Sequence, residues 1–315
     1  MSVIEYRHPT VEDLEAILDI INTSNRDNPL WEVHSPDEFR KNTFEHDEWD
    51  AEGHWVAVRG DKSLGYGGAK IVKERQEMGQ NDGWLGVWVR PEERARGVEN
   101  EIMQRSVDYL RDKGIDKAKY FDLKGTDWRD TVRHDFGFDI IHREFFMVKK
   151  DQELPELAPQ EGLGFRDFLL REATDKQLED LVILENDAFS EDKNYTPNTM
   201  NSLRKWKESS PNIVRINFAT LDDEVVGVCI SEVELEYNEV HNVNAGWIRL
   251  FGVSKGHRNR GIGKALLHNG MQWHWDQGMD TLYVGVDEMN PPAERVYRSV
   301  GFSVQDEGAI WSLDL

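Results

Sequence analysis

Arg258, Arg260 and Lys264 surround two glycines, Gly261 and Gly263, in the stretch HRNRGIGKAL (257–266). A strand-like run, WIRLFGV (247–253), ends just before it, and an apolar helical stripe with Ile262, Ala265 and Leu266 begins inside it. A strand, a glycine turn and a helix start in that order make a place for an anion. The first N–H groups of a helix have no intrahelical partner, and the peptide dipoles add partial positive charge there. Glycine removes the side chains that would keep a phosphate from the backbone. The turn lacks the G-K-[ST] ending of a nucleotide P-loop, and its spacing is not G-x-G-x-x-G. Taken alone, these residues also fit an ordinary glycine turn with surface arginines. A second stretch follows at NPPAERVYRSVGF (290–302), where Asn290 is placed to cap a short helix with Pro291 in its first turn and Tyr297 farther along.

The elements that position these residues occur twice. A shift of 164 residues, 258 against 94, lays Arg94 on Arg258, Gly97 on Gly261, Gly114 on Gly278, and Gly137-Phe138 on Gly301-Phe302. Val89 falls on Val253, ending a strand-like run in each half. Such a register without gaps indicates two copies of one domain. The copies are expected at 1–150 and 163–315, joined by a linker, DQELPELAPQEG (151–162), with two prolines and four carboxylates. Each half opens with an amphipathic helix (VEDLEAILDII, 11–21; DKQLEDLVILENDAF, 175–189). Strands, the basic turn and further helices follow, with a hairpin expected at Asp222-Asp223. The alternation predicts α/β or mixed α+β domains with helices packed on a sheet.

Composition narrows the partners. The chain has 315 residues, 60 acidic against 38 basic, for a net charge of −22. A surface of that sign repels nucleic acid and anionic lipid and, if anything, attracts cations such as amines. Cys229 is the only cysteine, which excludes a disulfide framework and a cysteine-based metal site. No metal site is expected. No stretch has the apolar run of a signal peptide or membrane span, so the cytoplasm is the expected compartment.

Arg258-x-x-Gly261-x-Gly263 followed by Asn290, Ala293, Tyr297, Gly301 and Phe302 resembles the signature of the Gcn5-related N-acetyltransferase (GNAT) superfamily. The paired arrangement looks like that of tandem two-domain members, the mycothiol synthase architecture among them. The resemblance implies two GNAT-like domains, each a mixed, mostly antiparallel sheet flanked by helices, with acetyl-CoA as cosubstrate. It implies a pyrophosphate site at Arg258, Asn259, Arg260, Gly261, Ile262, Gly263 and Lys264. It places pantetheine along Phe251, Gly252 and Val253, where two strands splay, with a backbone N–H of Phe251 or Val253 on the thioester carbonyl. Asn290 would hydrogen-bond the pantetheine arm and Tyr297 would protonate the departing thiolate. Read without the resemblance, Asn290 is a helix cap and Tyr297 a core aromatic.

At the matched positions the first half has Glu99 for Gly263, Arg133 for Tyr297 and Thr126 for Asn290. That half is expected to keep the fold without binding the cosubstrate. An alkylammonium acceptor must lose a proton before it attacks, which calls for a base. Sequences of the mycothiol synthase architecture carry a Glu at the start of the strand, where this chain has Trp247. Glu232, Glu234 and Glu236 instead alternate along a run expected to be a strand, which puts them on one face. Glu234, the middle one, is the expected base; a solvated face without a role is the other reading, and Arg249 could pair with one of them. The functions this leaves are transfer of acetyl to a small or peptide amine, or non-catalytic acyl-CoA sensing in the same cleft. A nucleotide-binding role lacks the Walker residues. Monomer and homodimer are both compatible with tandem domains.

Overall fold

The computed structural model describes residues 1–315 apart from 1–2, 26–29, 31–33, 47, 124–126, 155, 158–159 and 192–194, with backbone only at 127, 130 and 131. Thr126 and part of the 151–162 linker therefore lie outside the described residues. In chain order the elements are β1 (Glu5–Arg7), α1 (Leu14–Asn25), α2 (Pro36–Asn42), β2 (His54–Arg59), β3 (Lys62–Ile71), α3 (Lys73–Glu77), β4 (Asp82–Val89) and α4 (Val98–Asp112). Next come β5 (Lys117–Leu123), α5 (Asp127–Phe136), β6 (Asp139–Lys149), β7 (Leu163–Leu169), α6 (Asp175–Phe189), α7 (Met200–Ser209), β8 (Ile213–Leu221) and β9 (Glu224–Val233). The chain ends with α8 (Leu235–His241), β10 (Ala245–Val253), α9 (Ile262–Asp276), β11 (Thr281–Asp287), α10 (Pro291–Ser299) and β12 (Ser303–Asp314).

These elements form two compact units. Unit 1 comprises Met1–Arg143 with Gly308–Leu315, and unit 2 comprises Glu144–Glu307. The units are cut differently from the sequence halves 1–150 and 163–315, because each takes its last strand from the other half. In unit 1 the strand order is β1-β2-β3-β4-β5-β12, antiparallel except for β4 with β5. In unit 2 it is β6-β11-β10-β9-β8-β7, antiparallel except for β10 with β11. Each unit is thus a mixed, mostly antiparallel sheet flanked by helices, as the sequence led us to expect. Composition and periodicity identify an end strand but do not say which sheet it joins.

The repeat extends to backbone conformation. Ala95 and Gly97 adopt φ of 58° and 87°; Asn259 and Gly261, at the same shift, adopt 62° and 81°. Gly114 and Gly278 also match (71° and 83°), as do Gly137 and Gly301 (75° and 98°). The left-handed region favours glycine, so the spacing of these residues records where the backbone must turn. The Asp222-Asp223 hairpin is present, with both residues at positive φ (50° and 72°), the turn that matches strand twist.

In unit 2 one side of the sheet carries a core of Ile248, Leu266, Met271, Leu282, Val284 and Tyr297 beneath α9 and α10. The other side packs Leu181, Leu184, Leu203, Ile216, Phe218 and Ile230 under α6 and α7. Helix α6 starts at a capping box: Thr174 Oγ1 accepts the Gln177 N–H at 3.3 Å, and Gln177 Oε1 accepts the Thr174 N–H at 2.8 Å. In unit 1 the core below α4 is built from Leu64, Val87, Val89, Ile102, Val107 and Tyr120.

Candidate active site

The pairing of β10 with β11 runs from Ala245–Thr281 to Ile248–Val284 and goes no further. Beyond it β10 continues for five residues, Arg249 to Val253, still paired to β9 on its other side. The register against β9 shifts between Ile248 and Leu250. This bulge sets the directions of the side chains around it. Ile248 faces the α9 core, Leu250 the α6 core, and Phe251 and Val253 the α9 core again. The divergence opens a gap beside Phe251, Gly252 and Val253, where the sequence placed the pantetheine arm. Gly252 has no side chain because a Cβ there would lie 2.9 Å from the Phe189 ring.

The turn at 258–264 closes the end of this gap. Gly261 caps α9 in the left-handed conformation, and the first intrahelical bond runs from Ala265 N–H to Gly261 O. The N–H groups of Ile262, Gly263 and Lys264 therefore form the open end of the helix. A Cβ built on Gly263 would lie 3.1 Å from the Phe251 ring and 3.7 Å from Val253 Cγ2, so this glycine brings the helix start onto the floor of the gap. Gln160 reaches over Gly261, where a Cβ would meet its amide nitrogen at 2.8 Å. Asn259 and Arg260 are exposed. Arg258 is also exposed, but its guanidinium is tied to the chain: it donates to Val253 O (3.2 Å) and Ala188 O (2.6 Å) and approaches Glu191 (3.3 Å). Its position therefore ties the end of β10 to the end of α6, a role the sequence did not indicate.

Tyr297 lies below the gap on α10 and is 4% exposed. Its ring meets Phe251 edge-on at 5.2 Å and Phe302 at 5.8 Å. Burial, then the nearby Cys229 and Glu144, raises its pKa, so the hydroxyl keeps its proton. Asn290 caps α10, its Oδ1 accepting the Ala293 N–H at 3.2 Å. The cap reading is thus present, and the exposed side chain leaves the pantetheine role compatible with it.

The carboxylates depart from expectation. Strand β9 ends at Val233, Glu234 is the residue that precedes α8, and Glu236 lies in that helix. The three do not share a strand face. The chain turns because Asn238 bonds both ways with Ala245, Nδ2 to O at 2.9 Å and N–H to Oδ1 at 3.0 Å, which folds 235–241 into a helix. Glu232 and Glu234, both buried, flank Arg249; Arg249 Nε donates to Glu232 at 2.6 Å and its terminal nitrogen pairs with Glu234. Arg249 also covers the Trp247 ring at 4.8 Å. Trp247, expected at the start of the strand, is the third residue of β10, tilted against Tyr283 at 4.8 Å.

A carboxylate that the sequence did not single out lies on the same sheet face. Glu144, from β6, stands opposite Asp287 in the antiparallel pair with β11. Its Oε1 lies 2.6 Å from where a Cβ of Gly285 would be, so it extends across β11, the strand that borders the gap. Burial, then the neighbouring Asp287, pushes its pKa up to about 7. The sequence hid it because 139–149 reads as the end of the first half.

Unit 1 presents the same turn in a closed form. Glu99, 2% exposed, folds back so that Oε1 accepts the Ala95 N–H at 2.6 Å. A carboxylate of the chain itself thus occupies the position an anion would take. Arg94 is held by Ser24 O (2.8 Å) and covers Trp128 at 5.0 Å. Arg133, at the position of Tyr297, joins a buried cluster with Asp122 and Arg129, the latter 2.8 Å from Asp122. Strand β4 runs against β3 with no shift of register, so the bulge of β10 has no counterpart there.

Comparison with known proteins supports the fold and the repeat. The sequence model of the "Acetyltransferase (GNAT) family" matches twice, at residues 14–129 and 178–302. A mycothiol acetyltransferase from Corynebacterium aurimucosum is 33% identical over 67 residues, which cover 21% of this chain and 22% of that relative. A tandem GNAT protein from the clavulanic acid biosynthesis pathway superposes over 99% of this chain and 98% of its own, with a TM-score of 0.78 at 13% identity. A GCN5-related N-acetyltransferase from Sphaerobacter thermophilus covers 99% and 95%, with a TM-score of 0.70 at 19% identity. Among the described residues no helix is long and apolar enough to cross a membrane, and no group of His, Cys, Asp and Glu is placed to hold a metal.

Proposed function

The chain belongs to the GNAT family of acetyltransferases, acyl-CoA-dependent enzymes, and from that premise we propose that unit 2 alone carries the reaction, moving acetyl from acetyl-CoA directly to a primary amine. The observation that carries this reading is the contrast between the two turns. Glu99 fills one with its own carboxylate, and Gly263 leaves the other open beside the gap in the sheet.

Bound acetyl-CoA supplies the activated acyl group. Its pyrophosphate fits the helix start at Ile262, Gly263 and Lys264, with Asn259, Arg260 and Gly261 shaping the approach and Arg258 fixing the strand end. The pantetheine arm fits the open edge of β10 from Phe251 to Val253, with Asn290 at its side. A backbone N–H of Phe251 or Val253 polarises the acyl carbonyl, and such preorganised donors are usually among the larger contributions to rate. Tyr297 donates its proton to the departing sulfur. The acceptor amine approaches from the face that carries Trp247, Tyr283 and Glu144, and it passes its proton to Glu144. This assigns the base to Glu144 in place of Glu234, because a carboxylate paired with a guanidinium is a poorer proton acceptor than a buried one, and Glu144 has no cation paired with it among the described residues.

Calorimetry is expected to show one acetyl-CoA per chain; two equivalent sites would overturn the assignment to unit 2. Release of free CoA thiol across a panel of small amines, amino sugars, aminoglycoside-like amines and peptide amines then identifies the acceptor. Binding without release for every amine would make the protein an acyl-CoA-binding module.

The pH dependence tests the base. Glu144 is protonated below its raised pKa and becomes a proton acceptor as the pH rises through about 7. The rate is therefore expected to rise through that range. Glu144→Gln removes that rise and lowers kcat/KM roughly 10²-fold at pH 8, recovering as the pH nears the pKa of the free amine. Glu234→Gln is expected to keep the rise. The opposite pattern, in which only Glu234→Gln loses it, would return the role to Glu234.

A further inference from the structure

Unit 1 contains a cavity of about 250 Å³ that the acetyl-transfer reaction does not use. Two glycines line it, and rings lean over both: a Cβ on Gly68 would collide with the His54 ring. Gly68 on β3 and Gly86 on β4 are paired directly across the sheet, so two adjacent positions on one face lack side chains. Around this hollow the same face carries a row of nearly parallel rings. His54 stacks on Tyr66 at 6.1 Å and 13°, and Tyr66 on Trp88 at 6.0 Å and 16°. The end of the Trp88 ring lies over Gly86, where an added Cβ would collide with it. Phe39 of α2 stands edge-on to Tyr66 at 6.4 Å and closes another side.

The polar groups at the edge have defined roles. The Trp88 indole N–H is buried and meets no acceptor among the described residues. Leaving a buried donor without a partner is unfavourable, so a ligand that supplies an acceptor there gains by it. His54 donates its Nδ1–H to Asp50 O at 2.9 Å, and burial lowers its pKa, so the ring is neutral and Nε2 is an acceptor. Glu48, on the lining, is paired with Lys70 at 3.6 Å and accepts the Lys73 N–H at 3.1 Å. That pair cancels the charge and removes the reason for a cation to bind against the rings.

We propose that unit 1 binds a neutral, planar heteroaromatic molecule of one or two rings in this hollow, stacked on the ring row and hydrogen-bonded at its edge by Trp88 and His54. The size agrees, since a cavity of about 150 Å³ holds a benzene ring. The proposal does not depend on acetyl transfer in unit 2. It assigns the first copy a ligand of its own in place of the cosubstrate its turn no longer admits.

The test is saturation-transfer NMR on the full chain, with quinolin-2-one, nicotinamide and hypoxanthine as probes. Cyclohexanecarboxamide, choline and methyl glucoside are the saturated, cationic and sugar controls. At least one aromatic probe is expected to receive saturation and none of the controls. Gly86→Ala, which pushes a methyl group into the Trp88 ring, is expected to weaken the bound probe tenfold or more with an unchanged circular dichroism spectrum. If that variant fails to fold, Trp88→Phe keeps one aromatic ring but removes the indole N–H together with the five-membered ring that carries it, and is expected to weaken binding several-fold. No transfer to any aromatic probe, preferential transfer to a control, or full affinity in the folded variants would overturn the proposal.

Discussion

Tyr297→Phe is expected to lower kcat by roughly 10²–10⁴-fold while acetyl-CoA affinity stays close to that of the parent. The hydroxyl acts where thiolate charge develops, and only interactions stronger in the transition state than in the ground state change the chemical step. The raised pKa of the buried phenol means that the hydroxyl still carries its proton when thiolate charge forms beside it. The variant is structurally mild. Phenylalanine keeps the ring contacts with Phe251 and Phe302 that seat this side chain in the core. Steady-state kinetics with an identified acceptor, alongside calorimetric acetyl-CoA binding, separates the two readings. A variant with full kcat would leave Tyr297 as a core aromatic.

Gly263→Glu is expected to weaken acetyl-CoA binding more than a hundredfold. Glu99 shows what a carboxylate does at this position: it turns back onto the N–H of the residue four before it, here Asn259. In unit 2 it would occupy the anion's place. A carboxylate about 5 Å from one phosphate charge also costs roughly 3 kcal/mol at an effective dielectric near 20. Phe251, where unit 1 has the smaller Val87, must give by a few tenths of an ångström to admit the new Cβ, a small disturbance for a half-buried ring. Gly263→Gln has the same bulk without the charge, so calorimetry on the pair divides the loss between the two. Equal losses would assign the effect to volume, and retained affinity in the Glu variant would remove the phosphate from this turn.

The parts of the fold visible in the sequence were those with a local cause. Glycines that must adopt positive φ repeat at a fixed shift, so Gly261, Gly278 and Gly301 reveal the second copy through the first, whereas the Ala95–Asn259 match shows only in the backbone. The anion turn was legible for the same reason, since a helix start after glycine is a short-range event. What stayed hidden was decided at a distance. The bulge after Ile248 turns Leu250 away from the side that alternation alone would give it. Asn238 bonds to Ala245 and converts the expected strand end at Glu234–Glu236 into a helix. Arg258 reads as free charge until α6 is seen beside it. Glu144 was missed because nothing in a strand's composition says which sheet will take it.

That last strand exchange has a consequence for the order in which the protein can be completed. The neighbour of β5 in unit 1 is Gly308–Asp314, nearly two hundred residues farther along the chain. The other strands have therefore all been synthesised before the edge of β5 can be covered. Until then unit 1 exposes an open strand edge with Tyr120 and Leu123 behind it, the kind of surface that templates unwanted pairing. Residues 308–315 thus complete the first sheet late: without them it stays incomplete, however well the second turn is formed.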